Sequence, residues 1–295
     1  MKRKPSSQSR LKAAPGWIGA ILAGSVFGIL FLLEKRRPLR ASVESQLPRL
    51  GRNLALAGLG AVAARVAEAP LTAPLARLVE RRRWGLLQKL RLPFWLEAAA
   101  GCVLLDYTLY VWHVFTHKIP FLWRFHQVHH VDLDLDASTA LRFHFGELAL
   151  SAPWRAAQVL AFGICPLSLS IWQTALLMEI MFHHSNVGLP IEWERWLSRF
   201  IVTPRLHGIH HSMVKAETDS NWSSGLSIWD WLHGTLRLGV SQREIRIGVP
   251  AYSIPSEVVF PRLVEMPFRK QPPSFPASDN STRNGVAESR EKLLS

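Results

Sequence analysis

The sequence predicts an all-α integral membrane protein: about four transmembrane helices and a helical cap on one membrane face, carrying clustered histidines. Three observations predict it. Charge-free apolar stretches alternate with basic loops along the first two thirds of the chain. The longest of them is broken near its middle by Gly163, Ile164, Cys165 and Pro166, which reads as a membrane hairpin returning to the side it left. All twelve histidines fall between His113 and His233, most of them three or four residues apart, the spacing that puts side chains on one helix face.

Composition narrows the class. In 295 residues, 35 Lys and Arg face 22 Asp and Glu, leaving 35 − 22 = +13, and 48% of positions are hydrophobic. That length suits one or two domains, and so much Leu, Trp and Phe excludes a disordered, nucleic-acid-coating chain. No nucleic-acid partner is needed for the charge. The basic clusters flank apolar spans, where each Lys or Arg meeting anionic headgroups is worth about 1 kcal/mol. Cys102 and Cys165, both in apolar surroundings, form neither a disulfide framework nor a zinc ribbon.

Taken in order, residues 1–12 read as a basic tail and 13–93 as membrane or interfacial helices. From Ala13 to Leu33 no residue is charged, and no small-x-small cleavage site precedes Glu34, so the stretch reads as a membrane helix rather than a signal peptide. Leu54 to Val79, interrupted by Arg65, Glu68 and Arg77, reads as a weak span or a pair of interfacial helices. Phe94 to Val114 is stronger despite Glu97 and Asp106, and opens a catalytic domain expected over 94–250. Ala156 to Met178 supplies the hairpin. Basic residues flank every loop, so their distribution does not orient the spans. Residues 251–295, rich in Pro, Ser and Asn without periodic hydrophobicity, read as a polar, largely disordered tail.

The histidines fall into boxes. In HVFTH, His113 and His117 are i and i+4; in HQVHH, His126, His129 and His130 are i, i+3 and i+4; in HGIHH, His207, His210 and His211 repeat that pattern. Neutral imidazole is a ligand for zinc, iron, copper or nickel, and a pair one turn apart grips one ion. A structural zinc site closes with four ligands, so eight or more histidines on converging helices point to two ions. An even number of crossings puts every box on one face. A histidine-lined membrane metal-binding or transport protein is the competing reading, but it would place ligands near the bilayer midplane, whereas these lie among Arg, Gln, Asp and Lys. A membrane b-type cytochrome needs only two axial histidines per haem and leaves most of the set unused.

With HVFTH and HQVHH, the runs STALRFHFGE (138–147), MFHHSNVGLP (181–190), TPRLHGIHHS (203–212) and ETDSNWSSGLSIWDWLHGT (217–235) resemble the fatty acid hydroxylase/sterol desaturase superfamily over about residues 94–250. The resemblance implies a membrane non-haem diiron oxidoreductase, with two iron ions and O2 as co-substrate, that hydroxylates or desaturates a lipid. A catalytically silent member is the alternative within that resemblance. Carried over, the metal ligands are His113, His117, His126, His129, His130, His207, His210 and His211, completed by His184, with His183 beside it in a supporting place. No redox domain is legible in the chain, so electrons are expected from a separate donor, a reductase with a ferredoxin or a b-type cytochrome. That favours a cytosolic-side cap, with the boxes on the cytoplasmic face of a bacterial inner membrane or its equivalent.

Other residues stand near the boxes as supporting groups or possible ligands. Phe145, Gly146 and Glu147 replace the family's more usual wording after His144, and His233 occupies a slot that is often Phe. Asp106, two helical turns before His113, is expected to accept a hydrogen bond from a ligand's free N–H. Glu147, Asn186, Asp219, Asn221 and Asp230 are further candidates of this kind. For Asp132, Asp134 and Asp136 the expectation is capping or turn formation. Trp112, Trp123, Trp193, Trp196, Trp222, Trp229 and Trp231 are expected to line a lipid cavity or to form an interfacial belt.

Overall fold

The computed structural model describes residues 16–276, and among them the only regular elements are helices and helical turns. The basic tail expected at residues 1–12 lies outside the described residues. Three helical runs are long and apolar enough to cross a membrane: Gly16–Arg36, Gln46–Leu90 and Phe94–Lys118. The chain is therefore an all-α membrane protein. Helix α1 is Gly16–Arg36. The stretch read as a weak span is a long run instead: α2 (Gln46–Ala63), a wide π turn over Ala64–Glu68, α3 (Ala69–Arg82) and α4 (Leu86–Leu90). The π turn has a local cause, since Pro70 brings no N–H and its ring crowds the carbonyl four residues back.

Helix α5 (Phe94–Lys118) carries the first histidine box in its last two turns, and α6 (Pro120–His130) carries the second. The expected hairpin is α7 (Phe145–Phe162) and α8 (Pro166–His184), of 18 and 19 residues. Its arms are not among the runs apolar enough to span, because they bury polar groups against neighbours. Arg155 bonds Gln158 at 2.6 Å and lies 4.2 Å over the Trp172 ring, and its Nε is 3.9 Å from Glu68. The hairpin turn is pinned by two glycines. Gly163 has φ +74° and Gly85 φ +82°, and a Cβ on Gly85 would stand 2.2 Å from the Gly163 nitrogen. Only glycine fits either place.

The cap is completed by short helices: α9 (Ile191–Leu197), α10 (Pro204–His210) with the third box, α11 (Lys215–Thr218), α12 (Ile228–His233) and α13 (Phe260–Glu265). The reading of 251–295 as a disordered tail is corrected for residues 251–276. Val258, Leu263 and Met266 are buried with Leu56 of α2 and with Val128, Val131 and Leu133 around the end of α6. The segment was unreadable because its apolar residues follow 3-10 turns and α13 in short pieces without a sustained period. The rest of that tail lies outside the described residues.

The loop after α6 is clamped by a buried carboxylate. Asp132 receives Arg49 at 3.0 Å, Arg52 at 3.2 Å, Asn53 at 3.1 Å and Thr139 at 2.9 Å, and Arg142 stands 3.6 Å away. The expected turn role holds for Asp136, which accepts from the Ser138 N–H, and Asp134 accepts the Val43 and Glu44 N–H groups. For Asp132 it is corrected: this residue ties α2 to the second box. Burial alone would raise its carboxyl, but Arg49, Arg142 and Arg52 outweigh burial and push it down to about 2.

Removing one partner of such a cluster leaves buried charge uncompensated, so Asp132→Ala is expected to cost about 3–5 kcal/mol, read from thermal unfolding in detergent. The sign with pH follows from a folded value below the unfolded one of about 3.9. The Asp132 contribution is complete above about pH 4 and is lost as pH falls through about 2. Acid unfolding of Asp132→Asn should lack that increment.

Candidate metal centre

Helical geometry sorts the histidines. Residues i and i+4 share a face, while sequence neighbours diverge by about 100°. Accordingly, His113 and His117 of α5, His126 and His130 of α6, and His210 of α10 form one group. His129, His184, His207 and His211 form a second. Within each group the ligand atoms lie within 4.8 Å of one another. The neighbours in HQVHH and HGIHH are thus divided between groups: His129 from His130, and His210 from His211. The groups share a wall, with His130 stacked on His211 at a 4.2 Å centroid separation. All nine residues singled out from the sequence as candidate ligands are brought together, and all are buried.

The outward nitrogens show which way the lone pairs point. Nδ1 of His113 lies 2.6 Å from the Trp222 carbonyl, Nδ1 of His184 2.7 Å from that of Ile180, and Nδ1 of His210 2.8 Å from that of Ser220. A carbonyl only accepts, so each Nδ1 carries the proton and donates, and each Nε2 keeps its lone pair for the interior. His126 does the same against a carboxylate, donating from Nδ1 to Glu147 Oε1 at 2.8 Å.

Inside, Nε2 atoms face one another. In the second group His184 Nε2 is 2.9 Å from that of His129 and 3.0 Å from that of His207, which is 3.1 Å from that of His211. In the first group the Nε2 atoms of His126 and His130 are 3.2 Å apart. Nε2 of His117 and of His210 are buried without a hydrogen-bond partner. Lone pairs converging so closely repel unless a cation lies between them, and imidazole nitrogen suits a transition-metal ion. Burial, then neighbouring imidazoles, pushes the pKa of His129, His130, His207 and His211 well below the ordinary value, and burial holds His210 at about 3. These rings therefore remain neutral donors of electron pairs at physiological pH.

The other candidates fall into distinct places. His183 is fully buried, with its ring 4.1 Å from that of His207 but outside both groups. Its neighbour His184 takes the inward face. His144 is not near the ligands' interior: it caps α7, its Nδ1 accepting the Gly146 N–H at 2.9 Å and its Nε2 donating to Val264 O at 3.1 Å. His233 is exposed and stacked on Tyr107 and Tyr110, so it supports the fold rather than the centre. Asn186 exchanges hydrogen bonds with the Arg40 backbone. Asp219 pairs with Lys118 and Lys215 at the outer end of α5.

The expectation that Asp106 receives a ligand's N–H is corrected. Its Oδ2 accepts the Leu226 N–H at 3.0 Å and Trp229 Nε1 at 2.7 Å, and His113 uses the Trp222 carbonyl instead. Asp106 thereby fastens the loop that supplies that carbonyl. Asp230 stiffens the same loop, accepting the Trp222 and Ser223 N–H groups and the Thr235 hydroxyl. Asn221, with φ +51°, ties it to α10 through Leu206 O at 2.9 Å. The main-chain carbonyls of Ile180, Ser220 and Trp222 were invisible in the sequence, since every residue has one.

Aromatic rings close the outside. Phe143 lies flat on His129 at 4.4 Å, and Trp123 stands 5.0 Å from His117 and 5.4 Å from His130. A pocket of about 260 Å³ lined by His117, Trp123, Lys215, Thr218, Asp219, Ser274 and Phe275 reaches the first group from the side of the cap. Trp112 packs on Trp154 instead, while Trp193, Trp196 and Trp231 are exposed.

Residues 98–235 match the sequence model of the fatty acid hydroxylase family. Ornithine lipid hydroxylase OlsE of Rhizobium tropici is 33% identical over 144 residues, covering 48% of this chain and 42% of that one. Alkylglycerol monooxygenase of Xenopus tropicalis is 33% identical over 134 residues, covering 44% and 28%. A cholesterol 25-hydroxylase-like protein of Danio rerio is 30% identical over 149 residues, covering 48% and 55%. The matched region thus spans roughly half or less of these relatives. No solved structure matches. The resemblance to the fatty acid hydroxylase/sterol desaturase superfamily is shown over this region, which contains every histidine of both groups.

Asp106 and its loop give a direct test of the geometry. A Cβ on Gly225 would stand 2.2 Å from Asp106 Oδ1. Gly225→Ala is therefore expected to displace the loop and to cost about 1–3 kcal/mol, the usual penalty of overpacking. An unchanged thermal unfolding midpoint would contradict the packing described.

Proposed function

With nine convergent imidazoles inside a region of fatty acid hydroxylase pattern, we propose that the chain is a membrane-bound non-haem diiron oxygenase that hydroxylates or desaturates a lipid. The observation that carries it is the meeting of four Nε2 atoms from His129, His184, His207 and His211 beside a second group of five histidines. Relatives named as lipid hydroxylases and monooxygenases support the same reading.

His113, His117, His126, His130 and His210 hold one iron ion, and His129, His184, His207 and His211 the other. Two iron ions, when bound, would supply Lewis acidity and pass on the donor's electrons to O2, the chemistry needed to oxidise an unactivated C–H bond. For a hydroxylation the balance is R–H + O2 + 2 e⁻ + 2 H⁺ giving R–OH + H2O, with both electrons coming from a separate donor. A reductase with a ferredoxin or a b-type cytochrome fits that need, which supports a cap on the cytoplasmic face.

The chain's own residues do three things. The carbonyls of Trp222, Ile180 and Ser220 and the Glu147 carboxylate hold the Nδ1 protons, which fixes each ring and raises its basicity toward the metal. Phe143 and Trp123 cover the His129, His117 and His130 rings with apolar surface. Packing of α5 against α8 holds the helix that carries His113 and His117 against the helix that ends at His184.

Elemental analysis of detergent-purified protein, prepared without chelators, is expected to give about two iron ions per chain, the number the donor set accommodates. A His207→Ala, His210→Ala, His211→Ala variant should lose both. Folded protein without stoichiometric metal would remove the oxygenase reading. Loss of the Glu147 negative charge in Glu147→Gln, which leaves only a neutral amide oxygen to accept from His126 Nδ1, is expected to weaken metal retention about 10- to 100-fold in a chelator competition, with unfolding little changed. Iron-loaded protein supplied with a reductant and O2 should add one oxygen, or remove two hydrogens, from one member of a panel of ornithine lipid, alkylglycerol, sterol and fatty acyl substrates, detected by mass spectrometry.

A further inference from the structure

The cap carries an apolar surface that the metal centre does not use. Helices α9 and α12 are far apart in sequence but joined in space: Ile201 bridges Leu226, and the Ser227 N–H donates to Phe200 O at 3.1 Å. Their outward faces present Trp193, Trp196, Phe200, Ile228, Trp231 and Leu232, between 43% and 67% exposed. So many large apolar side chains on one joined surface is not what a water-facing cap shows.

Its height decides what covers it. Trp229 of α12 is bonded to Asp106, and its ring lies 5.0 Å from that of Tyr107. Asp106 and Tyr110, which α12 meets, stand seven and three residues before His113 on a helix long and apolar enough to span, so α12 meets α5 about 5–10 Å further into the membrane than the first ligand. At the other end, Gly188 donates to Arg37 O at 2.7 Å and Val187 bridges Pro38, which fixes the start of α9 beside the membrane-edge end of α1. Thus α12 is anchored beside a spanning helix and α9 at the membrane edge.

We propose that α9 and α12 form a monotopic platform immersed in the leaflet under the cap, with its tryptophans at the boundary of headgroups and acyl chains. Two short helices whose exposed surface combines Trp, Phe, Ile and Leu with the charged Glu192, Arg195 and Arg199 have the amphipathic composition that lies in that boundary. The occupant is bilayer lipid. The platform flanks the loop of Trp222 to Leu226, whose Trp222 carbonyl holds His113, so the lipid it meets lies beside a wall of the metal centre. The proposal rests on the anchoring geometry and stands whether or not the centre is an oxygenase.

The test uses the full chain in phosphatidylcholine/phosphatidylglycerol nanodiscs, with Cys102→Ala and Cys165→Ala, and a bimane fluorophore on a single introduced cysteine. Labels at Trp193→Cys and Trp231→Cys are expected to lose emission to doxyl-labelled lipid and to resist aqueous iodide. A label at Val214→Cys, beside the Lys215 that meets Asp219 at the outer end of α5, should do the reverse. Iodide quenching at either platform position equal to that at 214 overturns the proposal. In a chain keeping its native cysteines, dibromo-phosphatidylcholine should quench a smaller fraction of tryptophan emission once Trp193 and Trp231 are both phenylalanine. An unchanged fraction also overturns it.

Discussion

Crowding neutral imidazoles together with their lone pairs facing inward is the constraint on which the rest depends. Left alone, such rings would rotate, take up protons or move apart, and each outcome is blocked by a specific neighbour. Rotation is blocked by Nδ1 donors held on the carbonyls of Trp222, Ile180 and Ser220 and on Glu147. Protonation is opposed by burial, which disfavours the charged form. Separation is blocked by the clamps on the segments that carry the boxes: Asp132 behind α6, Asp106 and Asp230 behind the loop after α11, Asn221 behind α10.

These clamps share a design. Each is a short polar side chain, fully or almost fully buried, that satisfies several donors from distant parts of the chain. In an interior where an unpaired polar group costs roughly 1–3 kcal/mol, such nodes make the arrangement all-or-none. That suits a centre whose ligands come from four helices and the helix end beside them, because a drift of any one element would break several hydrogen bonds at once.

Much of the centre was legible because histidine at i, i+3 and i+4 on a helix leaves little geometric freedom. The division of His129 from His130 and of His210 from His211 follows from the same 100° that sets His184 inward and His183 aside. What could not be read were main-chain acceptors, which have no residue signature, and the destination of Asp106, which lies on the expected face but is claimed by Leu226 and Trp229. The membrane spans were read from continuous apolarity, a signal that α2 and α3 dilute with Arg65 and Glu68 and that α7 dilutes with Arg155 and Gln158. Residues 251–276 escaped because burial there depends on partners in α2 and α6, not on any local period.

The order of the boxes along the chain has a consequence for biosynthesis. The first group needs His113 and His210, and the second needs His129 and His211, so neither closes until nearly all of α5 to α10 has been translated. The hairpin of α7 and α8 lies between the second and third boxes, and it must be made before α6 can meet α10. A nascent chain therefore displays HVFTH and HQVHH in water while its remaining partners are still unmade. An ion suited to either group would find its full donor set only at the end of assembly, and one met earlier would find half-sites that bind it loosely.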